Sequence, residues 1–459
     1  MKKFIRNMLK DRVFLSTLIT LAIPITLQNF ITSSLNLVDN LMIGKLGETA
    51  IAAVGLANQY FFIFLLAIGG VNAGANVFMA QYWGKRDLNN IKKMLGINLS
   101  VGGITAMLFG LCGFLFPHQI MGILSKDAEV IALGAQYMRI VSVTTMLTNI
   151  TQGYSTALRS TEQPNVPMFA SLIGVLSNAF LNWVLIFGKL GCPAMGVAGA
   201  AIATTIARVI EMSYVLYSVY GKKNLVASGM KEMFSFGMPD IRRYFKVSTS
   251  AILNELVWSI GMTAYSMAYA QIGTNAVATM QIATTLNNMF VVIATGLGVS
   301  SAIMVGNKIG SGEEETAHDY SKKIAFLAPL SGVILGICVA ILAPFITALF
   351  KVQPATINAT INVLRIMAVF APLRFFSVVM IIGVFRGGGD TRFTMLLQLC
   401  TVWFYAVPLA FLGATVLGFS IEQVFFLICT EEVVKIFFVI RRLSSGKWLR
   451  NVVDEPAAA

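Results

Sequence analysis

Asp39 stands in the stretch NFITSSLNLVDNLMIGKLG, inside a run from Leu15 to Gly44 that is otherwise long, apolar and free of charge. A carboxylate near the middle of a membrane helix costs about 2.5–3.5 kcal/mol on insertion scales, so by default it is there to do something. With amide, hydroxyl and carbonyl oxygens around it, one carboxylate can hold either a proton or a hard cation such as sodium. Glu255, in AILNELVWSIG, is a second intramembrane acid. It could attract a cationic substrate or take up a proton; the plainer alternative is an ion pair with Arg365 or Arg374. Glu431 and Lys435 at i, i+4, and Arg208 and Glu211 at i, i+3, read as neutralising pairs. Asn178 and Asn182 share one helix face, as ligands or as interhelical glue.

Other chemistries lack their residues. The Gly-rich RGGGD at Arg386–Asp390 has no GK[ST] ending, so it is not a phosphate loop. HExxH and nucleophile-elbow patterns are missing too. The five cysteines are scattered without a CxxC spacing and offer neither a metal site nor a disulfide framework. His118 and His318 fall in loops, outside any proton relay. The expectation is a protein that is not an enzyme, carries no cofactor, and binds no metal beyond Na⁺ at Asp39.

The elements that hold these residues follow from composition. The chain has 459 residues, of which 56% are hydrophobic and 12% charged, with a mean hydropathy of +0.76. Soluble domains carry about 25% charged residues. A formal charge of +13 raises nucleic acid as a partner, but the basic residues sit in the gaps between apolar segments, which is membrane-protein placement. Runs long enough to span about 30 Å of hydrocarbon begin near Phe14, Ile51, Met94, Glu129, Val166 and Met195. Six more begin near Lys246, Ala276, Lys322, Ile357, Phe393 and Ile421. With the N-terminus inside, 25 of the 34 Lys and Arg lie on the inner side and five within helices. Only Lys45, Lys126, Lys189 and Lys351 fall in outer loops, so both termini are expected in the cytoplasm. The start, MKKFIRNMLKDRVF, resembles a signal n-region but reads as an uncleaved first span.

An offset of 226 residues lays one half on the other. IGKLGETAIAAVGLANQ falls against YAQIGTNAVATMQIATT, Gly47 on Gly273, Gly70 on Gly296, Gly84 on Gly310 and Arg139 on Arg365. With one residue of slippage, Arg159 meets Arg386. Six helices per copy is an even number, so both copies insert the same way up, about a pseudo-twofold axis along the membrane normal. The fold class expected is all-α integral membrane, with twelve transmembrane helices in two six-helix lobes related by a parallel internal repeat. Its parts are a cytoplasmic N-terminus (1–13), an N-terminal lobe (14–220), a basic cytoplasmic linker (221–245), a C-terminal lobe (246–442) and a cytoplasmic tail (443–459).

VDNLMIGKLG, NAFLNWVLIFG, MGVAGAAIATTIAR and FRGGGDTRF, in this order and spacing, resemble the multidrug and toxic compound extrusion (MATE) transporters over nearly the whole chain. The resemblance implies a cation-coupled exporter of organic molecules with a coupling site in the N-terminal lobe. Carried over residue by residue, that site is Asp39, Asn178, Asn182 and Thr204. Many relatives read N-x-x-L-D in the fifth helix, whereas this chain has Asn178 and Asn182, so a two-carboxylate site is absent. Some members also pair an acid in helix seven with one in helix ten; Glu255 fits the first, but PLRFFSVV offers no second acid. At 1.5 Å of rise per residue, Asn178 and Asn182 lie roughly 18 and 24 Å from the inner end of their helix and Thr204 roughly 13 Å from the outer end of its own. With Asp39 near the outer end of the first helix, all four can share one level.

The reading is secondary active antiport, in which inward H⁺ or Na⁺ at Asp39 drives export of amphipathic, cationic organic compounds. Pro24 would be the hinge of the first helix. The partners are small organic substrates and the lipid bilayer, with no nucleic acid, and a single chain suffices for function. The location is the cell (inner) membrane, multi-pass. The rival reading is a flippase for lipids or lipid-linked oligosaccharides, which would want a strongly basic cavity.

Overall fold

The computed structural model describes residues 2–347 and 353–454. Lys351 and the last residues of the tail lie outside them. The described residues form helices and no strands. In order they are α1 (Lys2–Lys10), α2 (Arg12–Gly44), α3 (Glu48–Gly84), α4 (Leu88–Leu115), α5 (Pro117–Leu124), α6 (Ala128–Val141), α7 (Thr144–Ser160), α8 (Asn165–Phe187), α9 (Gly196–Leu216), α10 (Met230–Met233), α11 (Met238–Ile272), α12 (Thr274–Gly310), α13 (Glu314–Thr347), α14 (Pro354–Val378), α15 (Thr391–Thr401), α16 (Val407–Phe411), α17 (Ile421–Cys429) and α18 (Glu431–Ser444). Each of the twelve apolar runs coincides with a helix that starts within eight residues of the expected position. The largest differences are at α11 and α13, where polar turns such as MPDIRR and EETAHDYSKK are helical before the apolar stretch begins.

Among the described residues nine helices are long and apolar enough to cross a membrane, or ten if α6 and α7 form one span bent by 47°. Hydroxyls absorb that bend: Ser142 Oγ donates to Met138 O at 2.7 Å, and Thr145 Oγ1 donates to Ser142 O at 2.9 Å. Carbonyls loosened at a kink must find such donors where water is absent. Ile104, Val369 and Phe404 are more than 70% exposed, which suits a hydrocarbon solvent and not water.

The chain forms two compact units. One runs from Leu27 to Ser248; the other comprises the residues up to Thr26 together with those from Thr249 on. α2 therefore passes from one unit to the other two residues after Pro24, and it remains helical through that proline. In the Leu27–Ser248 unit, Ile43, Ala53, Ala57, Met121, Met138 and Ala201 make a core of small and flexible side chains. α10 packs on α4, where Lys92 Nζ meets Glu232 Oε2 at 2.8 Å and fixes the basic linker.

In the other unit Phe14, Leu21 and Ile25 of α2 pack with Ile303, Val305, Phe385 and Trp448. Trp448 is fully buried. The RGGGD glycines are explained by packing: a Cβ on Gly387 would lie 2.4 Å from Ala302 O, and one on Gly388 2.6 Å from Trp448. Asp390 receives Arg442 at 2.7 Å and Arg450 at 3.4 Å.

The repeat is visible in local geometry. α3 and α12 are both 37 residues long and start 226 residues apart. Gly47 and Gly273, just before them, have φ of 110° and 138°. Nothing lies within 4 Å of a Cβ at either position, so backbone conformation and not crowding requires glycine there.

Candidate functional site

α2, α8 and α9 bring Asp39, Asn178, Asn182 and Thr204 together inside the Leu27–Ser248 unit. The two amides are one turn apart on α8 and so face the same way. Asn182 Nδ2 donates to Asp39 Oδ1 at 2.5 Å and to Asn178 Oδ1 at 2.9 Å. Asn178 Nδ2 donates to Thr204 Oγ1 at 3.3 Å, and that hydroxyl donates to Ala200 O at 3.0 Å. Asn178 and Asn182 are buried. With both its protons used, Asn182 leaves Oδ1 without a partner. A buried acceptor in that state costs about 1–3 kcal/mol, so the site offers an unused oxygen beside a carboxylate. A proton donor or a hard cation is what such a set can satisfy.

Residues that the sequence reading did not assign to this site surround it. Tyr137, buried on α6, donates to Asn58 Oδ1 at 3.5 Å and interacts with Thr204, Asp39 and Arg208. No spacing rule places Tyr137 here; it comes near Thr204 because α6 packs on α9. Asn178 and Thr204 also line a narrow recess with Thr32, Ser171, Arg208 and Glu211. Arg208 Nη1 meets Glu211 Oε2 at 2.7 Å. Ser171 Oγ donates to Glu211 Oε1 at 3.1 Å, Gln28 Nε2 donates to Ser171 Oγ at 3.2 Å, and Arg159 Nη1 donates to Gln28 Oε1 at 3.3 Å.

Glu255 lies in the other unit, with a different partner from either of the two expected. Arg386 Nη2 donates to Glu255 Oε1 at 2.7 Å. With its amide turned to satisfy both ends, Asn254 also accepts from Arg386 at 2.7 Å. The packing of RGGGD draws Arg386 under cover, 6% exposed. Arg374 instead donates to Asn287 Oδ1 at 3.4 Å, and Arg365 is exposed. Glu431 has the expected partner, Lys435, at 2.5 Å. It also accepts from Tyr265 at 2.9 Å and Thr401 at 3.0 Å. Among the described residues no three His, Cys, Asp or Glu side chains cluster as metal ligands.

Comparison with known proteins places this architecture. The chain is 24% identical over 452 residues to the "probable multidrug resistance protein NorM" of Thermotoga maritima, covering 95% of this chain and 93% of that one. It is 21% identical over 441 residues to the "uncharacterized transporter YisQ" of Bacillus subtilis, covering 96% of each. A solved structure of a MOP superfamily transporter from Pyrococcus furiosus superposes with a TM-score of 0.85 at 20% identity, over 94% of this chain and 96% of that one. A MATE structure in a bent conformation gives 0.85 at 21% identity, over 95% and 96%. The MatE family pattern matches twice, over residues 24–184 and 250–412, and the two matches begin 226 residues apart, the offset of the internal repeat. The chain is therefore a multi-pass membrane protein and belongs to the multidrug and toxic compound extrusion (MATE) family of transporters.

Proposed function

We propose that this protein is a secondary active multidrug exporter, exchanging inward H⁺ or Na⁺ at Asp39 for amphipathic, cationic organic compounds. The observation that carries the proposal is the Asp39–Asn182–Asn178–Thr204 cluster with its unpartnered Asn182 Oδ1. Its donors are all hard oxygens, which suit a proton or Na⁺ and not a soft metal. Relatives named as multidrug resistance proteins support the export of organic compounds.

Twelve spans in two lobes are reached by adding three segments to the nine: the bent α6–α7 pair, the 35-residue α11, and α17 with α18. That even number and the Lys and Arg distribution support a topology with both termini in the cytoplasm, and the protein would lie in the inner membrane. A single chain would carry out the cycle. Pro24 would serve as the hinge of α2, since proline removes one backbone hydrogen bond without breaking the helix here. Glu255 would be a substrate-attracting or second protonation site once Arg386 releases it.

The test is efflux of a fluorescent cationic dye from proteoliposomes under separate proton and sodium gradients, with wild type beside Asp39→Asn. Gradient-driven efflux that is lost in the variant is the expected result, and the effective gradient names the ion. Undiminished efflux in Asp39→Asn would remove Asp39 from coupling. A wild type inert under both gradients would leave lipid flipping as the better reading.

A further inference from the structure

Asp39 and Glu211 are the only carboxylates of the Leu27–Ser248 unit that lie away from helix ends, on α2 and α9. Arg208 shares α9 with Glu211. It is one turn beyond Thr204 on α9 and lines the same recess as Asn178 and Thr204, the residues that connect through Asn182 to Asp39. In this structure its guanidinium is turned to Glu211 instead, at 2.7 Å.

Glu211 is held in place to receive it. Its second oxygen accepts from Ser171, which is fixed in turn by Gln28 and, through Gln28, by Arg159. Gly174 leaves the room this requires, since a Cβ there would crowd the Glu211 side chain at 3.3 Å. So oriented, Glu211 keeps a tethered cation away from a carboxylate that must stay open.

We propose that Glu211 is a positioning residue for ion coupling: by binding Arg208 it prevents the guanidinium from occupying Asp39 in place of the transported cation. The inference rests on the antiport reading above. It also gives α2 a route to the site. Gln28 stands four residues past Pro24, so a movement of α2 at that proline acts on Ser171 and, through it, on Glu211. Slackening that support would free Arg208 to displace the cation from Asp39.

The test compares Glu211→Gln, Arg208→Gln and the double variant with wild type in the proteoliposome assay, using whichever gradient drives wild type. The concentration of coupling cation at half-maximal efflux is read separately from the maximal rate. In Glu211→Gln the freed guanidinium competes for Asp39. A charge-assisted hydrogen bond contributes about 1.5–3 kcal/mol, so the half-maximal concentration should rise at least about tenfold while the maximal rate stays within about threefold. Arg208→Gln, and the double variant, should return it to within about threefold of wild type, because the competitor is gone. A mere loss of packing would lower the maximal rate and would not be rescued by the second substitution. An unchanged half-maximal concentration in Glu211→Gln, or no recovery in the double variant, overturns the proposal. A wild type that moves no dye under either gradient sinks the antiport reading and this proposal with it.

Discussion

Lys435→Met tests whether the charges buried in the second unit are scaffold. Glu431 and Lys435 are 5% and 6% exposed and meet at 2.5 Å, and Glu432 stands 3.7 Å from the same ammonium. Removing one partner of a buried pair costs about 3–5 kcal/mol, because the other charge is left without compensation. Here Tyr265 and Thr401 still donate to Glu431, which argues for the lower end, about 3 kcal/mol. Glu432 Oε2 already lacks a hydrogen-bond partner, so it cannot absorb the loss. For a unit of this size about 3 kcal/mol corresponds to a fall in Tm of roughly 6–12 °C. The assay is thermal unfolding of purified protein in detergent by circular dichroism. Glu431→Gln/Glu432→Gln/Lys435→Met, which removes all three charges, should recover most of the loss, since neutral isosteres of a buried ionic group are often tolerated. It should also retain gradient-driven dye efflux. A single variant melting within 2 °C of wild type would refute the burial argument. A triple variant that is stable but transport-dead would show the cluster to be part of the transport machinery.

Two further outcomes follow from named contacts. A Cβ on Gly296 would sit 2.0 Å from Thr26 Oγ1, and overpacking of this kind costs about 1–3 kcal/mol; Gly296→Ala should therefore lower Tm, and Thr26→Ala should restore part of it. Glu255→Gln should raise KM for a cationic dye about tenfold with Vmax and coupling preserved, as expected for an acid that attracts substrate; a collapse of Vmax with unchanged KM would instead assign Glu255, paired with Arg386, to the scaffold.

What could be read in the sequence was what depends on period and length. Apolar runs marked the helices to within two turns or so, because a span must bury its backbone polar groups internally wherever the chain runs. The repeat offset located equivalent caps such as Gly47 and Gly273. Side-chain partnerships across long distances were less legible. Asn182 and Asp39 are 143 residues apart, and no local rule joins them; family resemblance supplied that set. The Arg386–Glu255 pairing was not legible because nothing in a Gly-rich loop says that it will be covered, whereas here Gly387 and Gly388 let Ala302 and Trp448 close over it. The Gln28–Ser171–Glu211 connection was invisible for a plainer reason: each member is an ordinary polar residue until three helices set them side by side.

The two repeats keep a common frame and differ in the chemistry placed on it. Arg159 and Arg386, equivalent in sequence, each reach the first helix of their own repeat, at Gln28 over 3.3 Å and at Glu255 over 2.7 Å. In the 226-residue register Gln28 falls on Asn254 and Asn29 on Glu255, so the two arginines grip the same turn. At the position of Asp39 the second repeat has Tyr265, whose hydroxyl donates to Glu431. That carboxylate is already neutralised by Lys435, an ammonium covalently tied to the same helix. In the first repeat the comparable tethered cation, Arg208, is held on Glu211, and the Asp39 carboxylate accepts from the neutral amide of Asn182. Under the antiport reading, a duplicated polar site has therefore diverged into one carboxylate that can exchange its cation with solution and one whose cation is permanent. On that reading, exchange of the cation at Asp39 can shift the protein between states, whereas the cation held on Glu431 cannot.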